Sequence, residues 1–219
     1  MILLFFACSA SGISLTGKAV RAGDPKPFIQ LCEQGDETAL EIRDTAQKGS
    51  CKEAGELIAN ISQIDFNHSK TETVNLNVLR SLTNLEKVGA YGKNISDISA
   101  LSDLLRLQEI YLMRNNISDI TPLKGLEHVR YLRLDGNQIS DISVLANLQK
   151  IEKLGLDANQ ITDVTPLAKL SRVQDLNINF NSIDLEKCPM TDVPEALYKI
   201  CKQLKKNRVD MQDAIDPKY

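Results

Sequence analysis

Leu107-Gln-Glu-Ile-Tyr-Leu-Met-Arg-Asn115 is followed by three further copies of one pattern: Val129-x-x-Leu132-x-Leu134-x-x-Asn137, Ile151-x-x-Leu154-x-Leu156-x-x-Asn159 and Val173-x-x-Leu176-x-Ile178-x-x-Asn181. The asparagines at 115, 137, 159 and 181 recur every 22 residues. Within each copy, apolar residues alternate over a few positions, so they face one side of a short strand. After each asparagine a second pattern follows, as in Ile117, Ile120, Leu123 and Leu126. A spacing of three suits a tight 3₁₀ turn, in which residues i and i+3 eclipse. Pro122 and Pro166, which lack a backbone donor, fit a loop or turn and not a helix interior. A single unit of this size cannot bury enough apolar surface to offset the ordering of its backbone, so neighbouring units must stack and share their burial. The chain turns away from the strand at the asparagine and leaves backbone groups inside the coil. A carboxamide offers both a donor and an acceptor to satisfy them, which neither aspartate nor leucine does.

This period and pattern resemble the leucine-rich repeat family in its 22-residue, internalin-like form, which runs N-x-I-x-D-I-x-P-L after each strand, as in Asn115–Leu123. The resemblance implies an α/β solenoid. It would be a right-handed superhelix with a curved parallel sheet on the concave face, 3₁₀ or irregular turns on the convex face, and helical caps at both ends. The repeats are expected over 61–185, with an irregular first unit at 61–84. There Ile61, Ile64 and Phe66 match the strand, while Leu85 begins the next unit 24 residues after Ile61. That next unit has Lys93 in the asparagine column. Either its corner opens to water or Asn94 substitutes, and the asparagine ladder is expected to begin at Asn115.

A solenoid exposes the apolar cross-section of its end coils, so something must cover them. Residues 28–60 supply the N-terminal cover. Asp36 is placed to cap a helix carrying Ala39, Leu40 and Ile42, and Ser50 to cap another carrying Ala54, Leu57 and Ile58. Its cysteine spacing resembles the N-terminal caps of exported bacterial leucine-rich repeat proteins. Residues 186–208 supply a C-terminal capping helix, with Asp192 and Glu195 as a capping-box start. Leu197, Ile200, Cys201 and Leu204 form its apolar face, and 209–219 is an expected tail. Residues 1–10, apolar and ending in small residues, resemble a secretory signal without the usual basic start. Phe5-Phe6-Ala7-Cys8 resembles a lipobox, which makes a lipid anchor at Cys8 the alternative to cleavage. Residues 11–27 read as a linker.

The five cysteines are Cys8, Cys32, Cys51, Cys188 and Cys201, and none lies within the repeats. Two bridges, Cys32–Cys51 and Cys188–Cys201, are expected, one in each cap, because other connectivities would cross the whole solenoid. Four buried free thiols in a reducing compartment are the alternative.

The net charge of −3 gives no electrostatic case for nucleic acid, and no apolar stretch approaches a membrane span. His68 and His128 have no nucleophile implied beside them, and no phosphate loop or zinc spacing occurs, so neither enzyme activity, cofactor nor metal is expected. Asp97, Asp119, Asp141 and Asp163 form a column that could suggest a calcium ladder. The better reading is local, with each carboxylate accepting backbone N–H groups of its own turn.

Function then falls to a surface. Tyr91, Tyr111, Met113, Arg114, Arg130, Tyr131, Arg133, Asp135 and Asp157 line the outward side of the strands, with Gly155 and Ala158 leaving a shallow area beside them. Tyr and Arg are the residue types that carry interface energy. A protein or peptide ligand is expected on this face, centred on Tyr111, Tyr131 and Arg133, with the chain a monomer in the cell envelope or secreted. An intracellular regulatory subunit of the phosphatase-binding kind, or a structural protein of the envelope, is the alternative.

Overall fold

The computed structural model describes residues 13–16, 25–46, 49–80, 82–189 and 191–215. The expected signal segment, Cys8 and the end of the tail lie outside the described residues. Seven three-residue strands form one sheet in chain order: β1 (Ser14–Thr16), β2 (Gln63–Asp65), β3 (Lys87–Gly89), β4 (Glu109–Tyr111), β5 (Tyr131–Arg133), β6 (Lys153–Gly155) and β7 (Asp175–Asn177). From β2 to β7 every pairing is parallel. The register steps 24 residues from β2 to β3 and 22 at each later step. Each strand from β2 to β7 is followed by a 3₁₀ turn, as at Thr121–Leu123 and Thr165–Lys169, where the prolines occupy the first turn and no donor is missed. The chain is a solenoid of stacked coils with helices at both ends.

The pattern of burial follows the sequence. Val88, Ile110, Leu132 and Leu154, at the centres of successive strands, are fully buried, as are Leu112, Leu134 and Leu156 two residues later. At each corner the asparagine bridges two coils. Asn137 accepts from the N–H of Ile117 at 3.0 Å and donates to the carbonyls of Leu112 and Leu134, both at 2.9 Å. Asn115, Asn159 and Asn181 repeat the arrangement. The carbonyl to which each donates across the corner lies 25 residues behind it, so the ladder sews each coil to the one before.

Lys93 is neither open to water nor replaced by Asn94. It is buried, and its ammonium donates to the carbonyls of Ser69 at 2.7 Å and Thr71 at 3.1 Å. The two extra residues of the first unit widen the corner, and the longer side chain reaches across it. The same loop is held from its other side by Glu41, which accepts from the Ser69 hydroxyl at 2.5 Å and the Lys70 N–H at 2.7 Å. Burial pushes the Glu41 carboxyl up, but these bonds with those of Thr71 outweigh it and hold the group below its ordinary value.

Glu41 belongs to the N-terminal cap, three helices at α1 (Lys26–Glu33), α2 (Glu37–Thr45) and α3 (Cys51–Ile58). Asp36 and Ser50 cap α2 and α3 through the N–H groups of Ala39 and Glu53. Thr38 and Asp36 also bond Asn75 of the first unit. Phe28, Ile42, Ala54 and Ile58 are completely buried and continue the core of the repeats. The Cys32–Cys51 bridge joins the end of α1 to the start of α3. At the other end Cys188–Cys201 ties the last coil to α4 (Glu195–Ile215), whose Leu197 and Cys201 are buried. Each bridge stabilises by about 2–4 kcal/mol through loop closure.

Three boundaries differ from expectation. Ser14–Thr16, within the stretch read as a linker, pairs antiparallel with β2 and buries the neighbouring Ile13. Helix α4 runs to Ile215, into the expected tail. Asp192 does not start α4: it lies at φ 54°, and the helix begins at Glu195 after Pro194, whose carbonyl accepts from the Tyr198 N–H.

Lys93→Met, which leaves two carbonyls unpartnered, should lower unfolding free energy by about 2–4 kcal/mol in a urea titration; an unchanged midpoint would mean the corner is hydrated. Because the folded Glu41 pKa is depressed, its contribution is present above the unfolded value of about 4.3 and is lost as pH falls through the folded one. Glu41→Gln should therefore lower Tm at pH 7 and narrow its deficit towards pH 3, and a pH-independent deficit would refute the assignment.

Candidate functional site

The outward side chains of the sheet fall into three columns set by strand register. The first holds Lys87, Glu109, Tyr131, Lys153 and Asp175, and the second Gly89, Tyr111, Arg133, Gly155 and Asn177. Two residues beyond the second column lie Tyr91, Met113, Asp135, Asp157 and Asn179. Adjacent strands are about 4.8 Å apart, so Tyr111 and Arg133, which are register partners, and Tyr131 are near neighbours. The nine residues expected from the sequence therefore lie together on one face of β3–β6 and its rims. Tyr91 is 43% exposed, while Tyr111, Tyr131, Met113 and Arg133 are half-buried.

The charges of this face are mostly engaged with one another. Arg130 holds Glu152 through two hydrogen bonds of 2.9 Å. Lys87 sits 3.1 Å from Glu109 and 5.0 Å from the centroid of the Tyr111 ring. Arg130 and Lys153 flank the Tyr131 ring at 5.6 and 5.8 Å, and Arg114 lies 5.6 Å from the Tyr91 ring. These are cation–π distances. Arg133 donates to Asp135 at 2.7 Å, and this bond is the main reason its guanidinium is held still more firmly protonated. The Tyr111 hydroxyl donates to Glu109 at 3.1 Å, and burial first, then the Glu109 charge and this bond, push its pKa up to about 12.

One expected feature is absent. Gly155 does not open a shallow area, because the Arg133 side chain and the Asp135 carboxylate lie across it where a Cβ would stand. Gly89 is covered in the same way by Asp65. Glycine in this column makes room for a neighbour's polar side chain, not for a ligand.

On the convex side the aspartate column behaves as local turn chemistry. Asp97, Asp119, Asp141 and Asp163 accept from the N–H groups of Ser99, Thr121, Ser143 and Thr165 at 2.8–2.9 Å. These backbone bonds, with the hydroxyls of the same residues, hold Asp97, Asp141 and Asp163 below the usual carboxylate range. No group of three or more potential metal ligands occurs among the described residues, and no helix among them is long and apolar enough to cross a membrane.

Phe180 lies outside the nine residues expected from the sequence. It is 85% exposed at φ 57°, at the rim beyond β7, and its signal was an aromatic residue where earlier units carry Arg114, Gly136 and Ala158.

Residues 105–147 and 127–169 each match the family described as leucine rich repeats (2 copies). An internalin of Listeria monocytogenes is 31% identical over 76% of this chain, with a TM-score of 0.64, and the chain spans 50% of that protein's length. A leucine-rich repeat protein of Leptospira interrogans is 22% identical over 60% of this chain and 35% of its own, with a TM-score of 0.54, a likeness of fold. No curated protein matches the chain in sequence.

The raised Tyr111 pKa is open to direct test. Its ring carbon signal should titrate near pH 12 and move down in Glu109→Gln, while a midpoint near 10 would show the hydroxyl to be free. Stability tied to Tyr111 is present below the unfolded value of about 10 and lost as pH rises through the folded one.

Proposed function

We propose that this leucine-rich repeat solenoid is a non-enzymatic binding module that recognises a protein or peptide on its concave sheet face, and that it works outside the reducing cytoplasm of a bacterium. The observation that carries the reading is the convergence of Tyr91, Tyr111 and Tyr131 with Arg114, Arg130 and Arg133 on three adjacent strands. Aromatic and arginine side chains dominate interface energetics: tyrosine buries a large area at low cost in rotamer freedom, and arginine adds directed, charge-assisted hydrogen bonds. Their pairing with neighbours on the same sheet supports a surface already held in its binding geometry, which reduces the entropy lost on association.

The two cap disulfides support an oxidising compartment, since such bridges persist there and are reduced in the cytosol. They weigh against the regulatory-subunit reading. Likeness to an internalin of Listeria monocytogenes supports an exported bacterial protein. Tyr111→Ala combined with Arg133→Ala should abolish capture of a protein partner from envelope or host-cell extracts. The removed side chains are half-buried and the ion pair lies at the surface, so Tm should fall by only a few degrees, with the pair itself worth about 1 kcal/mol or less. Undiminished capture would exclude this face.

A further inference from the structure

A second ladder runs along the sheet face at the column of Asn67, Tyr91, Met113, Asp135, Asp157 and Asn179. At three positions of this column the backbone N–H is received by a side-chain oxygen of the preceding unit. Asn67 Oδ1 accepts from the Tyr91 N–H at 2.8 Å, Asp135 Oδ1 from the Asp157 N–H at 3.3 Å, and Asp157 Oδ1 from the Asn179 N–H at 2.6 Å. The two units between break the ladder. The residue preceding Met113 in the column is Tyr91, and the one preceding Asp135 is Met113. Neither side chain carries a suitable oxygen acceptor on its first carbons, and among the described residues the N–H groups of Met113 and Asp135 have no hydrogen-bond partner.

Backbone donors in a folded protein are nearly always satisfied by protein or by water, and at this half-buried rim a ligand oxygen can take the place of water on two neighbouring donors at once. The molecule itself shows which acceptor fits, because the equivalent positions are filled by a carboxylate or a carboxamide oxygen. Charge decides between these two. Of the three arginines on this face, Arg130 and Arg133 are paired with Glu152 and Asp135, but Arg114, beside the gap and against the Tyr91 ring, has no carboxylate within ion-pair distance among the described residues. We infer that the Met113 and Asp135 N–H groups, with Arg114, form a subsite for an aspartate or glutamate side chain of a partner's extended segment. This rests on the concave-face reading above and specifies the chemistry of what binds there.

The test uses the full chain with both disulfides intact, labelled with nitrogen-15. The tripeptide Ac-Gly-Asp-Gly-NH₂ should shift the Met113 and Asp135 amide protons downfield, saturably. Binding should be about fivefold tighter than for the Asn counterpart, since charge-assisted bonds are stronger, and should weaken in Arg114→Gln. Absence of a saturable shift at these two amides overturns the subsite. So does an equal response to the Lys tripeptide, or a response to inorganic phosphate with the Asp tripeptide inert. In Tyr91→Asn and Met113→Asn, an oxygen from the chain itself should fill each gap, slow amide exchange at Met113 and Asp135 respectively, and remove the tripeptide shift at that amide. Unaltered exchange in both variants also overturns it. If the tripeptide shifts saturate while the Tyr111/Arg133 double variant still captures its partner, the subsite stands and the wider reading falls. The reverse pattern overturns the subsite alone.

Discussion

Every coil of this molecule depends on one buried corner, where the chain leaves the sheet and its backbone groups would otherwise lie in the core without water. At Asn115, Asn137, Asn159 and Asn181 the carboxamide meets that requirement, its oxygen accepting an N–H of the preceding coil and its nitrogen donating to a carbonyl of that same coil. Leucine and isoleucine burial drives the stacking, but burial is non-directional and does not set the register. The corner bonds do, and the 22-residue period follows from them.

The first unit shows what happens when the period is broken. Two added residues move the carbonyls of Ser69 and Thr71 beyond the reach of a carboxamide, and the Lys93 ammonium spans the difference. The loop's N–H groups meet Glu41 on α2. Cation and anion thus grip one loop from two sides without touching each other, and the irregularity becomes the joint between cap and array.

What was legible in the sequence depended on how local its cause was. The inward residues of each strand, the corner asparagines, the Asp36 and Ser50 caps and the two cap disulfides all rest on short-range spacing, and each is found where spacing put it. Lys93 was not legible, because its role depends on the shape of a loop in the preceding unit. β1 was not legible either, since Ser14–Thr16 carries little strand signal of its own and is extended by pairing with the edge of β2. Asp192 misled because Pro194, two residues on, sets where α4 begins. On the sheet face, alternation identified which side chains point outward, but not that Arg133 would lie over Gly155, since that depends on which neighbour a flexible side chain finds.

The joint at residues 69–71 also constrains how such a chain changes length over evolutionary time. Units that follow Asn115 make equivalent bonds to the unit before and the unit after, so whole 22-residue blocks are interchangeable there and gain or loss of one leaves both neighbours with their partners. The unit clamped between Glu41 and Lys93 has no such equivalent: duplicating it would leave one copy's loop without the lysine and the other's without Glu41, and deleting it would remove the loop that both hold. Lineages descended from this architecture should therefore lengthen or shorten in the middle of the array and keep their first unit single.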